Sequence, residues 1–442
     1  MALPSLHGIG YNGAWIQVTV SFPAIARMSS ANPPSRLEHF IPIQKGELVQ
    51  RLLLSDGLTP QDRRQFLELC EAVSRRLHAE FRERLERLKC AYSPFDPDAE
   101  LVTTRPPDEE QEAMGKSVVR QFTTLLEKAN YVRLTREDIE SALGATSDWG
   151  IDLYIDFDIF TELEVYARGD TIGRRVRCSW RTWYRRKLID VPTYRRLAVI
   201  FRLRADRPLE RDVDPNAIFI KLFKNIPKAD LEMMLPGTRV RMSWFDQGKI
   251  LFPTLSGIGM TLWKVVQGTL LLVYTGLQGM MAFLIFVGGT LGYGVKSVFG
   301  YLNTKNKYQL NVTRNLYYQN LDSNSGVLFR ILDEAEDQEF RETILAYFLL
   351  WRDAPVSGWS AQELDHAAEA CLASMLPAGV NFEVEDAIAK LQRMGLATSM
   401  PRDKWRARSF SEAIHILNGD ADERRHSESY SPHFRTDQRP VE

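Results

Sequence analysis

Val265 to Val295 is a run of 31 residues without one charge, bounded by Lys264 and Lys296. As a single helix it would be about 46 Å long, against a hydrocarbon core of about 30 Å. Upstream, Ile250 to Trp263 adds 14 more uncharged residues. Interrupted only by Lys264, the region from Ile250 to Val295 is long enough for two transmembrane helices and a short turn. The turn is expected near Gly276–Gly279, with Tyr274 at an interface. Lys264 opposes the first span, because a lysine near a span centre costs about 2.5–3.5 kcal/mol. The many Leu, Val, Ile and Phe residues, each favourable by about 0.3–0.6 kcal/mol, offset that cost. The rivals are a single span after Lys264 and a buried helical hairpin, which would lack a polar face.

Flanking charge sets the expected orientation. Arg239, Arg241 and Lys249 precede the hairpin, and Lys296, Lys305, Lys307 and Arg314 follow it, while the turn has no charge. Both ends are therefore expected on one cytoplasm-like side. Gly288 and Gly292 form a G-x-x-x-G pair. With Lys264 they are candidates for helix packing, within the hairpin or in a homo-oligomer.

The chain of 442 residues has room for two or three domains. Its net charge of −1 gives no global attraction to nucleic acid. Cys70, Cys90, Cys178 and Cys371 are scattered, so neither a disulfide framework nor a zinc site is expected. The first charge is Arg27, so the N-terminus lacks the basic start of a signal peptide. Residues 1–35 are expected to be disordered or a misassigned start, with Met28 a plausible alternative.

Residues 36–249 read as a soluble α+β domain. Thr59 and Pro60 open a long helix, and Phe66, Leu69, Val73, Leu77, Phe81, Leu85 and Leu88 make its apolar stripe. A second helix is expected near Asp108–Lys128, and a third after the Thr135/Asp138 capping box. The period then changes to two: in 151–168 the odd positions are mostly apolar and the even ones mostly charged. The run is too long for one strand, so a break is expected near Thr161. "TYRRLAVIFRLRA" and "NAIFIKLFKNI" add strands to a mainly antiparallel sheet with helices on one face.

Asp156, Asp158, Glu162 and Glu164 would share a strand face and are weak candidates for a divalent metal. Arg174, Arg175, Arg177 and Arg181 follow, and cross-strand ion pairing explains both sets without a metal. Trp180, Trp183 and Tyr184 among those arginines suggest RNA, but the acidic neighbours are expected to cancel the field, so no nucleic acid is expected. Lys221, Lys224, Lys228, Arg239 and Arg241 lie close before the apolar stretch, with Lys249 and Lys296 at its ends. They are candidates for lipid headgroup contact or topology signals; ion pairing with Asp230 and Glu232 is the alternative.

Residues 298–418 are expected to hold a helical, winged-helix-like module. "DEAEDQEFRETILAYFLLW" reads as a helix with acids in its first turn. "SAQELDHAAEACLASML" opens on a Ser360/Glu363 capping box, and "FEVEDAIAKLQRMGLA" ends at Gly395. A β-like "KWRARSF" follows. The third helix carries Glu383, Glu385 and Asp386 against Lys390 and Arg393, which suits a protein contact better than DNA. Residues 419–442 read as a disordered tail.

Two long blocks, "KLFKNIPKADLEMMLPGTRVRMSWFDQGKI" and "GYGVKSVFGYLNTKNKYQLNVTRNLYYQNLDSNSGVLFRILDEAEDQEFRE", resemble a family of predicted membrane proteins of unknown function, typified by transmembrane protein 143. The resemblance runs from about Phe40, in "HFIP", to about Leu396. It implies a multi-pass protein of a prokaryotic plasma membrane or a mitochondrial inner membrane, with no cofactor, ligand or catalytic residue to carry over. The expected function is a membrane-anchored scaffold or regulator, with the bilayer and a protein at the C-terminal module as partners. A metal-dependent enzyme at the membrane surface, or a small pore, is the alternative. No G-x-S-x-G, Walker A, H-E-x-x-H or dinucleotide fingerprint is present.

Overall fold

The period-two stretch is realised as two strands. In the computed structural model, β2 (Asp152–Ile155) ends at Asp156, whose carboxylate accepts from the Asp158 N–H at 3.2 Å and starts a 3-10 turn, Phe157–Ile159. The next strand starts at Phe160 with a bulge before Glu162. The break thus falls a few residues earlier than expected. The structure describes residues 38–100, 107–144, 152–178, 186–204, 214, 216–235, 238–241 and 317–428, with the single positions Trp263, Met281, Gly288, Gly292 and Phe299.

Five strands form an antiparallel sheet in the order β1-β3-β4-β5-β7. They are β1 (Val132–Arg133), β3 (Phe160–Cys178), β4 (Arg186–Leu203), β5 (Ile218–Pro227) and β7 (Asn320–Ser323). β6 (Thr238–Arg241) pairs separately with β2. Helices cover both faces, not one. Val165, Ala167, Leu197, Val199 and Phe201 pack on Ile139 of α4 (Arg136–Gly144) and on Leu231 and Met234 of a 3-10 segment, Lys228–Met234. Tyr166, Ala198, Ile200, Ile218, Ile220 and Leu222 face a larger core. A strand buried on both faces loses its alternation, which is why "LAVIF" in β4 is continuously apolar.

The larger core is built on α2 (Pro60–Tyr92), α3 (Asp108–Lys128) and α5 (Ser325–Arg352), with α1 (Lys45–Leu53) against them. Thr59 and Asp62 cap α2 reciprocally, and its stripe is buried except for half-buried Leu85. The C-terminal part runs β8 (Trp359–Ser360), α6 (Ala361–Met375), α7 (Val384–Arg393), β9 (Ala397–Met400), β10 (Lys404–Ala407) and α8 (Phe410–Glu428). Its three-stranded sheet has the order β8-β10-β9. The expected three helices and ribbon are present, but they do not form a separate core. Phe66 of α2 lies 5.0 Å from the Phe348 ring and 6.0 Å from Phe410. Leu37–Glu442 is one compact unit; the boundaries expected at 249 and 298 lie outside the described residues. α8 also continues to Glu428, where a disordered tail from 419 was expected. Residues 1–35 lie outside the described residues.

The transmembrane hairpin expected over 250–297 is not supported, and the multi-pass reading falls with it. Among the described residues no helix is long and apolar enough to cross a membrane. α5, the most buried, shows why length is not enough. Its apolar stretch lies between Glu342 and Arg352, and its first half is rich in acids. Such a helix suits a protein core that supplies counter-charges, and a bilayer supplies none. Most of the expected spans, including Lys264, lies outside the described residues.

Candidate functional site

The expected carboxylate set does not assemble. Asp156 and Asp158 sit in the 3-10 turn, off the strand. Glu164 forms a bidentate pair with Arg133 across the edge of the sheet, both contacts at 2.6 Å. Glu162 lies opposite Arg202, and burial pushes its carboxyl up against the pull of Arg202 and Lys116. Among the described residues no three His, Cys, Asp or Glu side chains gather as a metal site would require.

The expected cations are scattered too. Lys221 and Lys224 stand on β5, Lys224 opposite Arg196. Lys228 pairs with Asp170 at 2.7 Å and lies over the Tyr194 ring. Arg239 and Arg241 lie in β6, in register with Tyr154 and Asp152. Lys249 and Lys296 are outside the described residues. Gly288 and Gly292 are single described positions, and the segments around them lie outside the described residues.

The densest polar constellation is one that the sequence concealed. α5 begins at Ser325, two turns before the expected start, so its acids lie mid-helix and face inward. Glu339 and Glu342, one turn apart, are each 1% exposed, and Lys390 of α7 is 2% exposed between them. The Lys390 ammonium is ion-paired with Glu342, lies 3.4 Å from Glu339 and is 2.7 Å from Asp386. Burial works against its charge, but the three carboxylates outweigh burial and hold the ammonium above its ordinary pKa. Lys128 of α3 binds the other oxygen of Glu339. Asn130 and Gln338 donate to Glu342 at 3.0 and 2.6 Å.

A second layer surrounds this one. Arg341 donates to the Ile43 carbonyl at 3.1 Å and to Gln338 at 3.2 Å. Arg168 of β3 reaches Glu334 at 2.7 Å and lies between the rings of Phe40 and Tyr131. The "HFIP" segment is thus a strap across α5, held by stacking, by Gln338 and by a single parallel bridge from Glu38 to Val380. The network ties α3, α5, α7, the sheet and the strap together. Its carboxylates are answered by cations from within the chain, and these pairs join the layers.

The opposite condition holds at the far end of β3 and β4. β5 ends at Pro227 opposite Thr193, and β1 ends opposite Ala167. Pro192 has no N–H with which to continue a ladder to β5. Among the described residues, the two strands from Ile172↔Pro192 to Cys178↔Arg186 pair with each other alone, as a ribbon of roughly 23 Å. Ile172 and Leu188 are exposed on it. The base is fixed by Gly169 at φ +82, where a Cβ would stand 2.5 Å from the Arg195 side chain. The run 171–178 was legible as β-rich and basic; its projection beyond the sheet was not.

Residues 194–326 match a family described as protein of unknown function (DUF3754), under a third of the chain. The matched segment starts in β4 where the ribbon joins the sheet and ends at the first turn of α5. No solved structure matches the chain. The matched part is a domain of unknown function, and the match bears out neither the resemblance to transmembrane protein 143 nor a membrane family.

Proposed function

We propose that the chain is a scaffold or regulatory protein that acts by docking a partner on its projecting β3–β4 ribbon. The supporting observation is that ribbon: two paired strands that leave the sheet, with aliphatic side chains exposed at Ile172 and Leu188. Exposed aliphatics on a projecting ribbon add nothing to the core and suit a contact surface. The buried network favours the same reading, because it keeps the body that carries the ribbon rigid. The test is a shortened chain in which a two-residue Asn-Gly turn joins Thr171 to Thr193. It should melt like the parent. In extract from the source cells the parent should sediment as a larger species and the shortened chain should not. Equal sedimentation of the two would overturn the reading.

A further inference from the structure

The sheet carries a row of three cations, and the fold answers one of them. Arg168 of β3 is in register with Arg196 of β4, and Arg196 with Lys224 of β5. Residues directly opposite on paired strands share a face, so the three stand side by side. That face is the one that packs on the larger core: Ala198 and Leu222, the next pair along on the same face, are buried in it. Burial raises the Tyr131 hydroxyl, and Arg168 and Arg196 both pull against it, which places Arg196 on the same side. Arg168 is met by Glu334 at 2.7 Å and by the Ala129 carbonyl at 2.8 Å. Arg196 is not met in this way. Its Nη1 donates to the Arg195 carbonyl at 3.3 Å, and its Nε is buried with no hydrogen-bond partner. Among the described residues neither Arg196 nor Lys224 forms an ion pair.

Like charges set directly across two strands work against the sheet, and a desolvated guanidinium N–H without an acceptor adds to the cost. Water answers fully exposed cations, but both residues are half-buried. An anion between them removes both costs. We infer that Arg196 and Lys224 together bind a phosphate group. Neighbouring strands lie about 4.8 Å apart, so the two cations can bracket one tetrahedral anion. Their two positive charges match a phosphate dianion, whereas a carboxylate leaves one unanswered. The Nε–Nη2 edge of Arg196 offers parallel donors to two oxygens of one group, and Lys224 adds a point charge. The carrier of the phosphate is a free ion or a monoester. On the β7 side Gln319 donates to the Asn225 carbonyl beside Lys224, and the exposed rings of Tyr317 and Tyr318 come just before it. A nucleoside monophosphate brings an aromatic ring to those tyrosines, and free phosphate does not. The site lies on the body of the sheet and does not rest on ribbon docking.

The full chain in phosphate-free, low-salt buffer is titrated calorimetrically with inorganic phosphate, with adenosine monophosphate and with acetate. Phosphate is expected to bind saturably and to raise the melting temperature, and acetate to do neither. The double variant Arg196→Gln/Lys224→Gln should bind phosphate at least about 30-fold more weakly, and Lys224→Gln alone about tenfold. Without phosphate the double variant should melt no lower than the parent, because it removes a like-charge pair. Absence of saturable phosphate binding by the parent, or binding unchanged in the double variant, would overturn the proposal. If the double variant melts well below the parent, Lys224→Gln decides alone: unchanged phosphate binding there sinks the site. Adenosine monophosphate bound more tightly than phosphate, and weakened by Tyr317→Ala, identifies a nucleotide as the carrier. Equal binding of the two identifies the phosphate group as all that is read. The shortened chain without the ribbon should bind phosphate as the parent does; loss of binding there would overturn a site on the sheet body.

Discussion

Two regions of this molecule concentrate charge, and they treat it in opposite ways. Around α5 the carboxylates meet counter-charges from other elements: Glu339 and Glu342 meet Lys390 and Lys128, and Glu334 meets Arg168. On the ribbon Arg174, Arg175, Arg177, Arg186 and Lys187 share the strands with one carboxylate, Asp190. A buried charge without a partner is too costly to persist, so the first region must be internally closed. An exposed cation is solvated whether or not a partner is present, so the second tolerates its excess. The difference teaches that charge density in a sequence signals function only where the fold leaves it unanswered.

The largest expected effect lies in the closed region. Lys390→Met leaves two buried carboxylates one turn apart without their shared cation. It should cost about 3–5 kcal/mol, read as a lower denaturation midpoint with an unchanged slope. The same lysine gives an alkaline signature. Its folded pKa lies above the ordinary value of 10.5, so its contribution is fully present below that pH and is lost as pH rises through the folded value. Lys390→Met should remove that part of the alkaline loss.

Next comes the joint between the regions. Gly169 holds a backbone conformation that other residues adopt only under strain, and Arg195 fills the space beside it. Gly169→Ala should cost about 1–3 kcal/mol, seen as a drop in melting temperature. If the cost is nearer zero, the ribbon's base is not rigid and the contrast between a fixed body and a fixed projection weakens.

Much of the closed region was legible in outline and illegible in detail. Local signals were enough wherever chemistry between near neighbours decides the outcome: the Thr59 N-cap and the Thr135/Asp138 and Ser360/Glu363 capping boxes all form. Gly395 ends α7 at φ +68, as its position after the periodic run implies. The acids of α5 misled because an acidic run beside an apolar one looks like a helix start. Their true partners, Lys128 and Lys390, stand 211 and 48 residues away from theirs, and nothing local marks them. On the ribbon, Arg174–Arg177 and the acids of 156–164 are close in sequence but far apart in space, because β3 is one extended strand. Treating sequence neighbours as electrostatic neighbours holds on a helix or in a tight turn and fails along a strand.

A smaller effect tests the margin of the closed region. Burial raises the Glu162 carboxyl, with Arg202 and Lys116 opposing and Glu112 and Glu164 adding to the rise. A carboxyl raised in the folded state holds its proton more tightly there. Its contribution is therefore favourable at low pH and is lost as pH rises from the ordinary value of 4.5 through the folded one. Glu162→Gln should leave the protein at least as stable near neutrality and flatten the slope of melting temperature with pH between about 4.5 and 7. A steeper slope would mean that Arg202 and Lys116 outweigh burial there.

The smallest effect is on the ribbon, and its sign matters more than its size. The register sets Lys187 opposite Arg177, so Lys187→Glu converts a like-charge pair into an opposite-charge pair. Pairs directly across two strands are worth about 0.2–1 kcal/mol, so the variant should be slightly more stable than the parent. The readout is a small rise in melting temperature. A substitution that removes a cation and strengthens folding marks a charge that does not serve the fold. In the closed region no such gain is expected, because the charges there serve the fold alone. Should Lys187→Glu destabilise the chain, the ribbon's cations would be answered by groups of the protein itself, and the two regions would differ in place but not in kind.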